Sequence, residues 1–258
     1  MPKRSNLSKV TIILRNNKTY TKFASDMATD DEIFNRSELL LGSDNMRRIA
    51  TAHVLLVGVG GVGSWCAEAL IRTGIRHLTI VDFDTVQASN VNRQLMATTH
   101  TLGQVKVDAL KERLLQINPN ADVRAISMEY NEDTAQRLDI DSFDYVVDAI
   151  DSVKDKASLI LNATRSKAKL FSSMGAALKL DPTKIEVAEF WKVKGDPLAR
   201  ALRNRFKKSG QYPERKFKCV FSQERLTYKT EGKGSIVQVT AVFGLVLASL
   251  IMNDIIKD

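Results

Sequence analysis

A seven-residue run, "VGVGGVG" at Val57–Gly63, constrains the fold of this chain more than any other feature. An apolar run, "HVLL", precedes it, and "SWCAEALIRTG" follows. The first reads as a buried strand. The second reads as a helix, with Trp65, Ala69 and Leu70 on one face and Gly74 closing it. A strand, a glycine turn and a helix in direct succession make a phosphate cradle: small residues let backbone N–H groups approach phosphate oxygens, and the helix N-terminus adds a favourable dipole.

The spacing Gly58-x-Gly60-x-x-Gly63, with Gly61 inside it, meets an acid, Asp82, at the end of the second apolar run "HLTIVDFD". That is the place from which a carboxylate accepts hydrogen bonds from a ribose. By itself the loop does not separate NAD, FAD and ATP.

Further runs alternate in the same way. Strands are expected in "ADVRAISM", "FDYVVDAID" and "KLFSSMGAA", and helices in "QVKVDALKERLLQINP", "DTAQRLDI" and "VKDKASLILNATRSKA". Val107, Leu110, Leu114 and Ile117 form one helical stripe, and Pro119 lies beyond its end. This alternation predicts an α/β fold: a Rossmann-like, doubly wound, mostly parallel sheet. After Gly175 the rhythm changes. "KIEVAEFWKV", "KFKCVFS" and "RLTYK" read as strands, "GDPLARAL" as a helix with Asp196 at its N-cap and Pro197 at N1, and "VFGLVLASLIM" as a buried terminal helix too short to span a bilayer. These form an additional C-terminal β/α portion of the same domain.

The chain has 258 residues, so the expectation is one domain over 31–258 behind a basic arm over 1–30. The arm carries Lys3, Arg4, Lys9, Arg15, Lys18 and Lys22 with no acid before Asp26. It is expected to be disordered, or an extension upstream of a start at Met27; an organellar leader is the alternative. Two cysteines, Cys66 and Cys219, and three histidines, with no C-x-x-C pair, argue against a structural zinc site and a disulfide framework, and fit a reducing cytoplasm.

The loop "DFDTVQASNVNRQ" places Asp84, Asn90, Asn92, Arg93 and Gln94 just outside the strand ends, and Lys106 opens the next helix. Two cations beside a phosphate cradle suit a triphosphate whose departing pyrophosphate must be neutralised. Asp148, Asp151 and Ser152 end the fourth strand, a crevice position suited to Mg²⁺ or to orienting ATP. A second cluster, Arg200, Arg203, Arg205, Lys207, Lys208, Arg215, Lys216 and Lys218, is opposed only by Glu214 and interleaved with Phe206, Tyr212 and Phe217. With a net charge of +8, it suits RNA phosphates and a stacking surface.

The set "VGVGGVGS…IVDFD…SNVNRQ…GQVKVDAL…INP…DAIDS" resembles the adenylating fold of ubiquitin-activating-like enzymes, which includes the molybdopterin and thiamine sulfur-carrier activators. The resemblance implies that Asp82 binds ribose, that Arg93 and Lys106 contact phosphates, and that Asp151 holds Mg²⁺ and ATP. It also implies a homodimer, with Arg36 of "FNRSELLLG" reaching into the other subunit's site. Sulfur-carrier activators carry paired C-x-x-C motifs and a crossover cysteine, and this chain has neither.

"SSMGAALKLDPTKIEVAEFWKVKGDPLARALRNRFKK", "CVFSQE" and "DAIDSVKDKASLI" are similar to the tRNA threonylcarbamoyladenosine dehydratases. That resemblance implies ATP-dependent adenylation of a carboxylate on an adenosine beside the anticodon. Ring closure follows, with net loss of water. The nucleotide-binding half would span about 50–175 and the tRNA-facing half about 176–258. Partners would be tRNA bearing threonylcarbamoyladenosine and proteins of a sulfurtransferase system, with no membrane. Neither a monovalent-cation site nor a role for Cys219 is legible. Competing readings are a carrier-protein activator, an inactive RNA- or nucleotide-binding regulator, and a nicotinamide dehydrogenase.

Overall fold

The computed structural model describes residues 10–12, 20–22, 29–226 and 228–257. Within the expected arm, β1 (Val10–Ile12) and β2 (Tyr20–Lys22) pair antiparallel. The other residues of the expected leader lie outside the described set.

Two helices precede the glycine loop, α1 (Asp30–Leu41) and α2 (Ser43–Thr51). Thr29 and Glu32 form a reciprocal capping box at the start of α1: Thr29 Oγ1 accepts from Glu32 N, and Thr29 N donates to a Glu32 carboxylate oxygen at 2.8 Å.

The main sheet has seven strands. In chain order the core is β3 (His53–Val57), α3 (Gly63–Thr73), β4 (His77–Asp82), α4 (Lys106–Ile117), β5 (Asp122–Ser127), β6 (Tyr145–Asp148), α5 (Val153–Arg165) and β7 (Lys169–Ser173). Then come β8 (Ile185–Glu189), α6 (Pro197–Ser209), β9 (Lys218–Ser222) and α7 (Val237–Lys257). The strand order is β5-β4-β3-β6-β7-β9-β8. All pairs are parallel except the edge pair β8–β9. The expected α/β, doubly wound, mostly parallel sheet is therefore present.

Helices cover both faces, so the strands are apolar on both, with alternate side chains entering opposite cores. Val54, Leu56, Leu78, Ile80, Val147 and Val220 pack into one core with α3, α4 and α7. Leu55, Val57, Val81, Val146, Leu170 and Phe221 pack into the other, beneath α5 and α6. α7 lies against α3 so closely that a Cβ on Gly244 would sit 2.4 Å from the Val62 carbonyl oxygen. This helix is longer than its apolar stretch, and long and apolar enough to cross a bilayer, but more than half of it is buried against the rest of the protein.

Two local expectations fail. Arg225, Leu226, Tyr228 and Lys229 form no strand. "DTAQRLDI" forms two 3-10 turns, Ala135–Arg137 and Ile140–Ser142, rather than a helix. Gly74 does close α3, at φ +111°, and Asp196 does cap α6, accepting from Ala199 N at 2.8 Å with Pro197 at the first helical position.

Candidate active site

The chain order reverses between β3 and β6, and ligand crevices of open parallel sheets form outside the strand ends at that switch point. The glycine loop leaves β3 there, and residues 149–152 leave β6 beside it. The two segments touch. Gly58 has φ +90°, and a Cβ on it would lie 2.7 Å from the Ala149 carbonyl oxygen, so neither backbone nor space admits another residue. A Cβ on Gly63 would meet the Gly58 oxygen at 1.8 Å.

Gly60 differs. Its nearest neighbour to an added Cβ is Gln94 Nε2, at 3.8 Å, so the fold itself does not require glycine there. Open space above that backbone fits close approach of a phosphate. Helix α3 has no side-chain cap and no acid in its first turn, which leaves first-turn N–H groups and the helix dipole directed at the same place. Gln94 Oε1 is buried without a partner beside this cradle. A nucleotide's phosphates would suit the N–H groups of this surface, and a hydroxyl or amino donor the Gln94 oxygen.

Asp82 is half-buried; one carboxylate oxygen accepts from Val59 N at 2.8 Å and the other from Asp84 N at 3.0 Å. Each oxygen keeps a second lone pair for a hydroxyl donor. Lys106, 5% exposed, sits 2.7 Å from Asp84 Oδ2. Arg93 lies over the glycine loop, its Cγ 3.3 Å from a Cβ built on Gly61. Its Nη1 donates to Ser89 O at 2.8 Å and to Asn92 Oδ1 at 2.9 Å. Asn90 is buried and its Oδ1 accepts from Gln87 N, closing the turn that presents Arg93. Asn92 is exposed and donates to Ser235 O at 2.9 Å, tying this loop to the segment ahead of α7.

Asp148 lies deeper than the other expected site residues. Its side chain is fully buried, 2.9 Å from Lys156 Nζ, which is equally buried, and it accepts from Ser172 Oγ at 2.6 Å. Burial pushes its carboxyl up against the pull of Lys156. It is a structural pair beneath the crevice floor and presents no atom to a ligand. Asp151 is exposed, and no described residue bonds its carboxylate. Ser152 caps α5 and donates to Asp155 at 2.7 Å.

No cluster of three or more metal-type ligands occurs among the described residues. One free carboxylate beside a phosphate cradle still fits Mg²⁺, which takes one or two carboxylates together with substrate phosphates.

Three supports were not read from sequence. Ser64 Oγ donates to Gly60 O at 2.7 Å and accepts from Leu95 N at 3.2 Å, and Trp65 Nε1 donates to Arg93 O at 3.0 Å. Lys179 is buried beside the crevice edge, donates to Glu224 O at 2.8 Å, and has its ammonium pushed down by burial. Nothing in the local pattern of "AALKL" marks that lysine, because its burial comes from segments distant in sequence. Cys219 and Cys66 are both fully buried, and burial pushes both thiols up, so neither is a poised nucleophile.

Arg36 is exposed on α1 and, among the described residues, makes no hydrogen bond or ion pair with the crevice of its own chain. The basic cluster divides. Arg200, Lys207, Lys208, Lys216 and Lys218 are exposed. Arg205 pairs with Glu132 at 3.8 Å. Arg203 donates to the carbonyls of Phe190 and Val193, and Arg215 to those of Ala163, Thr164, Ser166 and Ala168 at the end of α5. Those two arginines spend donors on their own chain, although Arg215 stays exposed and Arg203 partly so, and both keep their charge. Phe206 and Phe217 are core, not stacking surface.

Residues 34–258 match the ThiF family. The chain is 36% identical over 243 residues to the tRNA threonylcarbamoyladenosine dehydratase of Bacillus subtilis, covering 87% of this chain and 95% of that protein. Against the protein of the same name from Haemophilus influenzae it is 37% identical over 237 residues, covering 83% and 89%. The crystal structure of the Escherichia coli tRNA N6-threonylcarbamoyladenosine dehydratase in complex with ATP superposes with a TM-score of 0.82 at 38% identity, covering 90% of this chain and 97% of that one.

Proposed function

The chain belongs to the ThiF family, and from that premise we propose that it is an ATP-dependent dehydratase of threonylcarbamoyladenosine in tRNA. The observation that carries this reading is the crevice itself: an open glycine cradle at Gly60, with Lys106 and Arg93 beside it, in a chain similar to a dehydratase crystallised with ATP.

A free carboxylate is a poor electrophile. Attack of a carboxylate oxygen on the α-phosphorus of ATP forms an acyl-adenylate and releases pyrophosphate. The modified side chain then closes on its own acyl carbon, AMP leaves, and one water is lost in total. Arg93 and Lys106 neutralise charge growing on the α-phosphate and pyrophosphate; donors of this kind contribute about 3–4 kcal/mol each. Asp82 holds the ribose. Mg²⁺, held by Asp151, would supply further neutralisation of the phosphates. Ring closure is intramolecular, so positioning contributes about 7–11 kcal/mol once geometry is set. No enzyme thiol is needed, in keeping with two buried cysteines. A sulfurtransferase-system partner would therefore act by contact rather than by passing sulfur through Cys66 or Cys219.

The exposed side chains of Arg36, Leu39 and Leu40 share one face of α1, with the leucines 80% and 82% exposed. That unpartnered apolar pair supports a homodimer in which Arg36 enters the other subunit's crevice. One domain over 31–258 is the corresponding unit, with ATP held by its part over about 50–175 and tRNA by about 176–258. Two cysteines that stay free thiols fit a cytoplasmic setting.

The test is mass spectrometry of nucleosides from threonylcarbamoylated tRNA incubated with the protein, ATP and Mg²⁺. Loss of one water from the modified adenosine, with AMP and pyrophosphate released, is expected. An unchanged nucleoside would overturn the reading.

A further inference from the structure

Trp191 and Tyr212 are 44% and 49% exposed, with ring centroids 6.3 Å apart. Among the described residues, the other exposed Phe, Tyr and Trp side chains are Phe83 and Tyr228, and neither is paired with another ring. The exposed pair does not rest on a mobile base. Trp191 packs edge-on against Phe190, centroids 5.0 Å apart, and Phe190 is fully buried and stacked on Phe217 at 5.1 Å. Trp191 is thus braced by an aromatic core, and Tyr212 leans against it with the two ring planes tilted by 44°.

The charge around the pair is ordered. Arg200, Arg203 and Lys207 stand at i, i+3 and i+7 on α6 and form one row. The Arg203 guanidinium lies 5.8 Å from the centroid of the Phe190 ring that braces Trp191. The row has a direction. At its start the helix cap, Asp196, accepts from Gly175 N, just past the end of β7, which is the crevice edge of the sheet. The aromatic pair lies at the other edge, where Phe190 N donates to Phe217 O ahead of β9. A 13-residue helix spans about 20 Å between the two.

Resting on the reading that tRNA is the substrate, we propose that Trp191 and Tyr212 form a stacking platform for unpaired bases of the bound RNA, at the far end of a cationic row leading away from the crevice. Bases stack on aromatic faces irrespective of sequence, and the row meets the phosphates between platform and crevice. Neither residue touches ATP or the reacting carboxylate. The platform therefore contributes affinity for RNA and registers the strand, while chemistry is left to the crevice. Sequence order conceals it, because Trp191 and Tyr212 are separated by the whole of α6.

The experiment uses full-length protein and fluorescently labelled, unmodified tRNA, with dissociation constants measured over a series of KCl concentrations. The double variant Trp191→Ala/Tyr212→Ala is expected to bind roughly tenfold more weakly or worse, as loss of base stacking predicts. Its salt dependence and its ATP affinity should match the wild type, because no cation is removed. Trp191→Phe/Tyr212→Phe keeps both rings and should retain most of the affinity. Wild-type RNA binding by the alanine variant overturns the platform. So does an equal loss in the phenylalanine variant, or a change of oligomeric state with RNA affinity intact, which would mark a protein contact instead. Because binding is read without turnover, wild-type protein that stacks RNA yet fails to dehydrate the modified nucleoside leaves the platform standing and removes only the dehydratase reading.

Discussion

Lys106 and Asp84 are joined twice: Lys106 N donates to Asp84 O at 2.9 Å, and Lys106 Nζ meets Asp84 Oδ2 at 2.7 Å. Bonds between Val86 and both Gly103 and Gln104 reinforce the closure. Together they seal the base of the long loop that carries Asn90, Asn92, Arg93 and Gln94. The cation assigned to phosphate therefore also fixes the loop that brings the second cation.

Lys106→Ala and Arg93→Ala should each lower pyrophosphate release by about 10²–10³-fold, the usual effect of removing one preorganised donor. Asp84 is about half exposed, so water can solvate it when Lys106 is gone, and the melting temperature should move little. Turnover equal to wild type in both variants would refute the phosphate roles.

Arg36→Ala should abolish turnover while leaving the dimer intact. Mixing Arg36→Ala subunits with Lys106→Ala subunits should restore activity, because a mixed dimer contains one crevice with both groups. Leu39→Glu with Leu40→Glu should give monomers by sedimentation. Failure of the mixture to recover any activity would place Arg36 outside the partner's crevice.

Gly244→Ala inserts a methyl group where the Val62 oxygen, Cys66 N and Trp65 Cβ already lie within 3.0 Å. The overpacking should cost about 1–3 kcal/mol. It should also weaken ATP binding, since Val62 and Trp65 belong to the glycine loop and α3. Calorimetry for both quantities decides this; an ATP affinity unchanged despite a lowered melting temperature would uncouple α7 from the crevice.

Lys156→Met leaves Asp148 buried and unpaired. The expected cost is about 3–5 kcal/mol in urea unfolding, as for other broken buried pairs. Asp148→Asn together with Lys156→Met should cost less than the sum of the two single changes. Additivity would show that the pair is not coupled.

Glu68 links α3 to α4 through Arg113 at 2.6 Å, and bonds Arg72 at 2.8 Å. Burial pushes its carboxyl up, but Arg113 and then Arg72 outweigh burial and hold it below the ordinary 4.5. A depressed carboxyl contributes stability that is present above the unfolded value and lost as pH falls through the folded one. The stability gap between wild type and Glu68→Gln should therefore be constant near neutrality and narrow below about pH 4.5. A gap independent of pH would assign the effect of Glu68 to packing.

The strand–glycine–helix unit, the parallel alternation and the crevice loops were legible in the amino-acid order alone, because each depends on local properties: period-two or helical burial, glycine at tight turns, acids and cations at strand ends. Gly74 and the Asp196 cap were legible for the same reason. What distant segments do to one another emerged with the packed fold. It sank Asp148 beneath the floor with Lys156, gave Arg215 to the end of α5, buried Phe206 and Phe217, and set Trp191 beside Tyr212. A residue's type fixes which bonds its side chain can make. Whether those bonds go to solvent, a ligand or its own chain depends on burial and neighbours, which arise only when the sheet and helices pack.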